Sequence, residues 1–185
     1  MSYFYCDVET LGLDLIHPVW EIGYAFDDEP VTSCIVSHSN AVMDSEALEV
    51  NGYSGRGGNE VDGAAARVFE QKLLRRLDDE RPVFVGANPA FDAERLLRRW
   101  GLAHSQAPWH YRLLDATLFA APLLGWNVQA SLARTANAFR DMGYVMPEPD
   151  HTAAGDVEAA RAVYRASLGL QAVQRMFLKD SGASR

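Results

Sequence analysis

Three short segments of this 185-residue sequence carry side chains able to do chemistry together. The first is Asp7-Val8-Glu9. Side chains alternate along an extended strand, so Asp7 and Glu9 share a face while Val8 points away. Two carboxylates held that close repel each other unless cations neutralise them, and divalent ions with oxygen ligands are the natural partners. The second is Phe91-Asp92, with Asp92 in the first turn of an expected helix. The third is His151-Thr152-Ala153-Ala154-Gly155-Asp156, where a loop histidine precedes a helix-borne aspartate. Each segment also has an ordinary structural explanation. A strand can end in exposed acids, a first-turn aspartate favours the helix dipole, and a histidine can sit in a solvated loop. One at a time, the segments do not decide between the readings.

These residues need elements to carry them. Residues 2–9, 19–26 and 31–37 read as strands, the last two joined through Asp27-Asp28-Glu29-Pro30, which suggests an antiparallel meander. Gly52–Gly58 reads as a glycine-rich loop. Residues 60–79 show a helical face of Val61, Ala65, Val68, Phe69, Leu73 and Leu77. Residues 82–86 form a short buried-type strand, and Asn88-Pro89 predicts a helix with Asn88 as N-cap and Pro89 first inside. Its apolar face holds Ala93, Leu96, Leu97 and Trp100, and Gly101 stops it. Residues 111–115 suggest a fifth strand. Residues 116–124 and 129–140 suggest helices, with Asp115 as an N-cap, and a long helix runs from about 155 to 177. Strands first, then strands alternating with helices, predict an α/β fold: a mixed five-stranded sheet flanked by helices. The reading is one domain over residues 1–178 with a flexible tail at 179–185.

Composition narrows the class. A hydrophobic fraction of 48% and a charged fraction of 23% are ordinary for a soluble globular domain. No apolar run reaches the roughly 20 residues of a membrane helix, so no membrane partner is expected. The start Met1-Ser2-Tyr3-Phe4-Tyr5-Cys6 lacks a basic region before an apolar stretch, so no secretory signal is expected. Two cysteines, Cys6 and Cys34, allow a disulfide by count, but the reading favoured is two buried, reduced thiols of a cytoplasmic protein. A net charge of −8 argues against a protein that coats long duplexes. It does not exclude a short single-stranded grip, which needs few phosphate contacts. Two divalent cations on four carboxylates would leave about −4.

In order along the chain, the three segments resemble the DEDDh branch of the DnaQ-like exonucleases, in the ribonuclease H-like superfamily. The family's D-x-E-T motif with a following glycine is similar to Asp7-Val8-Glu9-Thr10-Leu11-Gly12. Its N-x-x-F-D motif is similar to Asn88-Pro89-Ala90-Phe91-Asp92, and its H-x-A-x-x-D motif to the segment from His151 to Asp156. The resemblance spans roughly residues 2–168. There are two departures: relatives often place a histidine where Ala87 stands, and many have His-Gly where this chain has Asn51-Gly52.

The resemblance implies a ribonuclease H-like sheet and a two-metal 3′→5′ exonuclease using Mg²⁺ or Mn²⁺. Asp7 would bridge both ions, Glu9 and Asp156 would complete the first metal site, and Asp92 would serve the second. His151 would be the general base, working with Glu9 at the catalytic centre, since imidazole exchanges protons near neutrality. The substrate would be the 3′ end of single-stranded RNA or DNA, with nucleoside 5′-monophosphates as products. Thr10, Leu11, Asn88 and Phe91 would contact the terminal nucleotide, Leu11 as a wedge against the last base. Some relatives dimerise, so a homodimer is allowed. Trp20, Trp109 and Trp126 are candidate stacking platforms, and Arg95, Arg98, Arg99, Arg134 and Arg140 candidate phosphate contacts. For each of these the ordinary reading is packing or a solvated helix face. The competing readings are a catalytically silent nucleic-acid or polymerase-binding module on the same fold, and a plain α/β domain whose acids are caps and surface charges.

Overall fold

The computed structural model describes residues 2–38, 42–56 and 61–182, with side chains described up to residue 176. Part of the expected Gly52–Gly58 loop and residues 183–185 of the expected tail lie outside the described residues. Five strands, β1 (Tyr3–Thr10), β2 (Val19–Phe26), β3 (Thr32–Ile35), β4 (Val83–Gly86) and β5 (Leu114–Asp115), form one sheet in the order β3-β2-β1-β4-β5. β1–β2 and β2–β3 pair antiparallel; β1–β4 and β4–β5 pair parallel. The mixed sheet expected from the sequence is the one observed. The fifth strand is shorter than residues 111–115, because the Arg112 N–H is taken by His110 Nδ1 at 3.2 Å rather than by a strand.

Helices α1 (Ser45–Val50), α2 (Gly63–Glu80), α3 (Pro89–Arg99), α4 (Ala116–Ala120), α5 (Leu132–Asp141) and α6 (Ala153–Gly182) flank the sheet, and a 3₁₀ turn at Ala121–Leu124 extends α4. Asp44, Asp62, Asp115 and Ser131 cap four of them by accepting first-turn N–H groups. Asn88 does not act this way: its backbone is left-handed (φ 59) and its side chain makes no capping bond. Asparagine tolerates that conformation better than most residues, so its use here is conformational. The helix over 60–79 also turns differently from its expected face. Ala66, Leu73 and Leu77 are buried and Phe69 is partly so, while Ala65 and Val68 face solvent. α6 runs on to Gly182, so part of the expected tail is helical.

Alternation along the central strands sends side chains into two cores. Phe4, Cys6 and Val8 of β1, with Ile22, Phe26 and Phe84, pack against Leu73 and Leu77 of α2 and Leu96 and Leu97 of α3. Tyr5, Ala25, Val83 and Val85 face the other way, against Ala116 and Ala120 of α4, Ala136 and Phe139 of α5, and Val157, Val163 and Tyr164 of α6. Burying a side chain such as Phe4 or Phe84 contributes about 1.5–3 kcal/mol. A third, smaller cluster joins Leu11, Trp20 and Tyr53. Trp109 is also core, 2% exposed, which removes Trp20 and Trp109 as stacking platforms. Cys6 and Cys34 are free, on strands separated by β2. No helix among the described residues is long and apolar enough to cross a membrane.

Candidate active site

Asp7 and Glu9 follow Tyr5 on the odd-numbered side of β1, the side that α6 covers. α6 begins at Ala153, so Asp156 lies in its first turn, over the end of β1. Two features of β2 bring the helix start this close. A Cβ at Gly23 would lie 2.4 Å from the Ala153 carbonyl oxygen, so only glycine admits the approach. Glu21, on the same side of β2, accepts the Ala153 N–H at 3.2 Å. Asp156 Oδ1 accepts the N–H groups of Asp150 and His151 at 3.2 and 3.3 Å, folding the preceding loop back onto the helix. The Asp150 carboxylate in turn takes the Thr152 N–H and hydroxyl, at 3.0 and 2.7 Å, and occupies the space a Gly155 side chain would fill.

The result is a three-carboxylate group. Asp7, Glu9 and Asp156 each present an oxygen within 4.8 Å of the others, all half-buried. Asp92 reaches the same region from α3. Beyond the last β1–β4 pair, Tyr5–Val85, the Val8 N–H donates to Asp92 Oδ1 at 3.1 Å, and Asp92 is only 3% exposed. It lies outside the three-carboxylate group but close enough for its charge to act on Asp7.

Packing these acids together holds protons on them. Burial, then the charges of Asp92, Asp156 and Glu9, raises Asp7 well above the carboxylate range. Glu9 is pushed up to about 8 by burial and by Asp156 and Glu21, with Arg56 pulling the other way. Burial raises Asp92 to about 7 against the opposing Val8 N–H. Asp156 is raised by burial, less so because His151 and the loop N–H groups favour its charge. A bound cation would relieve the cost of ionising these acids, and the oxygen donors of Asp7, Glu9 and Asp156 could hold one.

A cleft of about 400 Å³ opens beside the acids, lined by Glu9, Thr10, Phe91 and His151 together with Leu13, Val50 and Asn51. His151 is exposed, with a left-handed backbone (φ 57). Phe91 is half-buried, with the Arg95 guanidinium 3.2 Å above its ring. Thr10 touches the cleft, but its hydroxyl is used internally, donating to the Gly12 carbonyl at 2.7 Å. Two expected contacts are not placed there. Leu11 is fully buried against Trp20 and Tyr53, so it presents no wedge, and Asn88 is exposed outside the cleft lining. Gly12 is explained by packing, since any Cβ would lie 2.5 Å from the His17 ring.

The sequence reading missed the opposite wall of the cleft, which is α1 and its cap. Leu13 and Val50 line it while 77% and 58% exposed, so these apolar groups face the opening. Asn51 ties that wall to β1, its side chain donating to the Thr10 carbonyl at 3.0 Å. Among the candidate phosphate contacts, Arg99 is held by Glu70, Arg140 by Glu148 and two backbone carbonyls, and Arg95 is 5% exposed. Arg98 is exposed, and Arg134 lies 5.2 Å over half-buried Trp126.

No protein-family model matches the chain, and no curated protein matches it in sequence. Solved structures do match in fold. The Escherichia coli exonuclease I–single-stranded DNA complex in its zinc-bound form superposes with a TM-score of 0.69 at 14% identity, over 95% of this chain and 42% of that one. A product-bound exonuclease I gives 0.67 at 14% identity, over 97% and 46%. The exonuclease I of the moderately thermophilic Methylocaldum szegediense gives 0.66 at 18% identity, over 89% and 40%. The chain thus shares the fold of part of these exonuclease I structures, while spanning less than half the length of those proteins.

Proposed function

We propose that this chain is a divalent-metal-dependent 3′→5′ exonuclease, hydrolysing the terminal phosphodiester of single-stranded RNA or DNA to release nucleoside 5′-monophosphates. The observation that carries the reading is the convergence of Asp7, Glu9 and Asp156, from opposite ends of the sequence, on one point with Asp92 adjacent. A single-stranded substrate agrees with the shared fold, since one exonuclease I of that fold is a complex with single-stranded DNA. The chain carries all four acids itself, so the reaction needs no second copy.

Asp7, Glu9 and Asp156 would hold divalent metal, with Asp92 serving beside them. Bound there, divalent cations would supply Lewis acidity to an in-line displacement at phosphorus. His151 takes a proton from the attacking water on one imidazole nitrogen. The new P–O bond forms as the bond to the 3′ oxygen of the preceding nucleotide breaks, and that oxygen takes its proton from solvent. Leu13, Val50 and Phe91 offer an apolar seat for the terminal nucleotide, with Thr10 at its edge.

Purified protein given 5′-labelled RNA and DNA oligomers should release mononucleotides with Mg²⁺ or Mn²⁺ and stop in EDTA. Running both oligomers in one assay fixes the preferred sugar. Asp7→Ala and Asp156→Ala should abolish cleavage, whereas His151→Ala should bind oligomer normally and turn over about 10²–10⁴ times more slowly. Full activity in either aspartate variant would refute the mechanism. Oligomer binding without any metal-dependent product would instead mark a silent binding module.

A further inference from the structure

Glu21 is the one charged residue of β2, Val19-Trp20-Glu21-Ile22-Gly23-Tyr24-Ala25-Phe26. Its side chain is 6% exposed and stands directly across from Glu9 in the β1–β2 register. Like charges facing each other destabilise a strand pair, and a buried carboxylate needs a partner. Arg56, from the loop after α1, supplies it: Nη2 pairs with Glu21 Oε2. The guanidinium packs 5.0 Å from the ring of Trp20, itself fully buried.

The same guanidinium reaches further. Arg56 Nη1 donates to the Asn51 carbonyl at 3.0 Å and to the His151 carbonyl at 3.2 Å. Glu21 Oε2, besides pairing with Arg56, accepts the Ala153 N–H. The segment from His151 to Ala153 is therefore gripped at two points by one ion pair, by its first carbonyl and its last amide. The backbone between them needs that grip. A φ of 57 at His151 is sparsely populated for a residue with a side chain, and persists only where surrounding contacts impose it.

We infer that Arg56 and Glu21 are positioning residues that fix the His151 loop and so aim the imidazole into the cleft. This rests on the reading of His151 as the proton acceptor. The pair has a second consequence: with Oε2 shared between Arg56 and the Ala153 amide, Glu21 stays out of the cation cage although it neighbours Glu9. The wall formed by α1 and its following loop thereby couples to the loop that carries the base, because Arg56 touches both.

The test is a mutant cycle on metal-dependent oligomer cleavage. Arg56→Ala should lower kcat about a hundredfold, the scale of an ångström-level misplacement of a catalytic group, with KM for the oligomer near wild type. Arg56→Lys restores a charge beside Glu21 but not a planar fork reaching two carbonyls, so it should recover only part of the loss. In a His151→Ala background, Arg56→Ala should cost nothing more, because both act through one group. Wild-type kcat in Arg56→Ala, full recovery in Arg56→Lys, or losses that multiply with His151→Ala would each overturn the inference. Hydrogen exchange supplies a readout independent of cleavage. The Ala153 amide should exchange faster in Arg56→Ala and Glu21→Gln while β1 amides keep their protection, and unchanged exchange would refute the anchor. Faster exchange in a protein that cleaves nothing would instead sink the proposed function, and His151's role with it.

Discussion

Glu9 and Asp92 keep their protons at pH values where free carboxylic acids have lost them, Glu9 up to about 8 and Asp92 up to about 7. The folded protein thus binds these protons more tightly than the unfolded chain, whose ordinary values are 4.5 and 3.8. Where the folded state holds the extra protons, unfolding becomes easier as pH rises. The metal-free protein should therefore melt at progressively lower temperature from about pH 5 to pH 8. Saturating Mg²⁺ or Mn²⁺ should reverse most of that fall, since the cation replaces the protons, and its binding near pH 6 should release protons measurable by titration calorimetry in buffers of different ionisation enthalpy. Glu9→Gln should flatten the pH dependence. A flat melting profile in the metal-free wild type would mean that the acids do not repel as the geometry demands.

At the scale of elements, the approach of α6 to β2 sets the site. Gly23→Ala places a methyl group against the Ala153 carbonyl and should cost about 1–3 kcal/mol, the usual range for overpacking. Denaturant unfolding should show that loss, with a larger loss of metal affinity than Ala25→Gly produces. Equal metal affinity in the two variants would detach the site from this contact. The long elements were legible because their periodicity is strong: β1 and β2 alternate into two cores, and α3 buries Ala93, Leu96 and Leu97 as the sequence predicts. The grouping of Asp7, Glu9 and Asp156 was legible through the motifs that carry them. What escaped is short or held by distant partners. α1 has six residues, too few to show a period, and β5, expected over 111–115, pairs through only two. Leu11 looked available because a sequence does not reveal that Trp20 and Tyr53 close over it. Arg56 lay in what read as a plain glycine loop. The one signal pointing toward it was Glu21, a charge inside an apolar strand that had to be paired somewhere.

At the scale of the whole molecule, one sheet divides two cores, and β1 contributes to both. Residues 1–178 should therefore unfold as a single unit: far-UV and near-UV circular dichroism should trace one coincident thermal transition. Two separated transitions would contradict a single domain. The charge of −8 also acts globally, and filling the acid cage should ease it. One feature of chain order reaches into biosynthesis. Asp7 sits in the first strand and Asp156 in the sixth helix, so the three-carboxylate group is complete only once nearly all of the described chain exists. At a synthesis rate of about 5–20 residues per second, the roughly 150 residues between them take on the order of 7–30 s to make. Throughout that interval the growing polypeptide lacks both Asp156 and His151, so the exonuclease proposed above would be born inert beside the ribosome and its message.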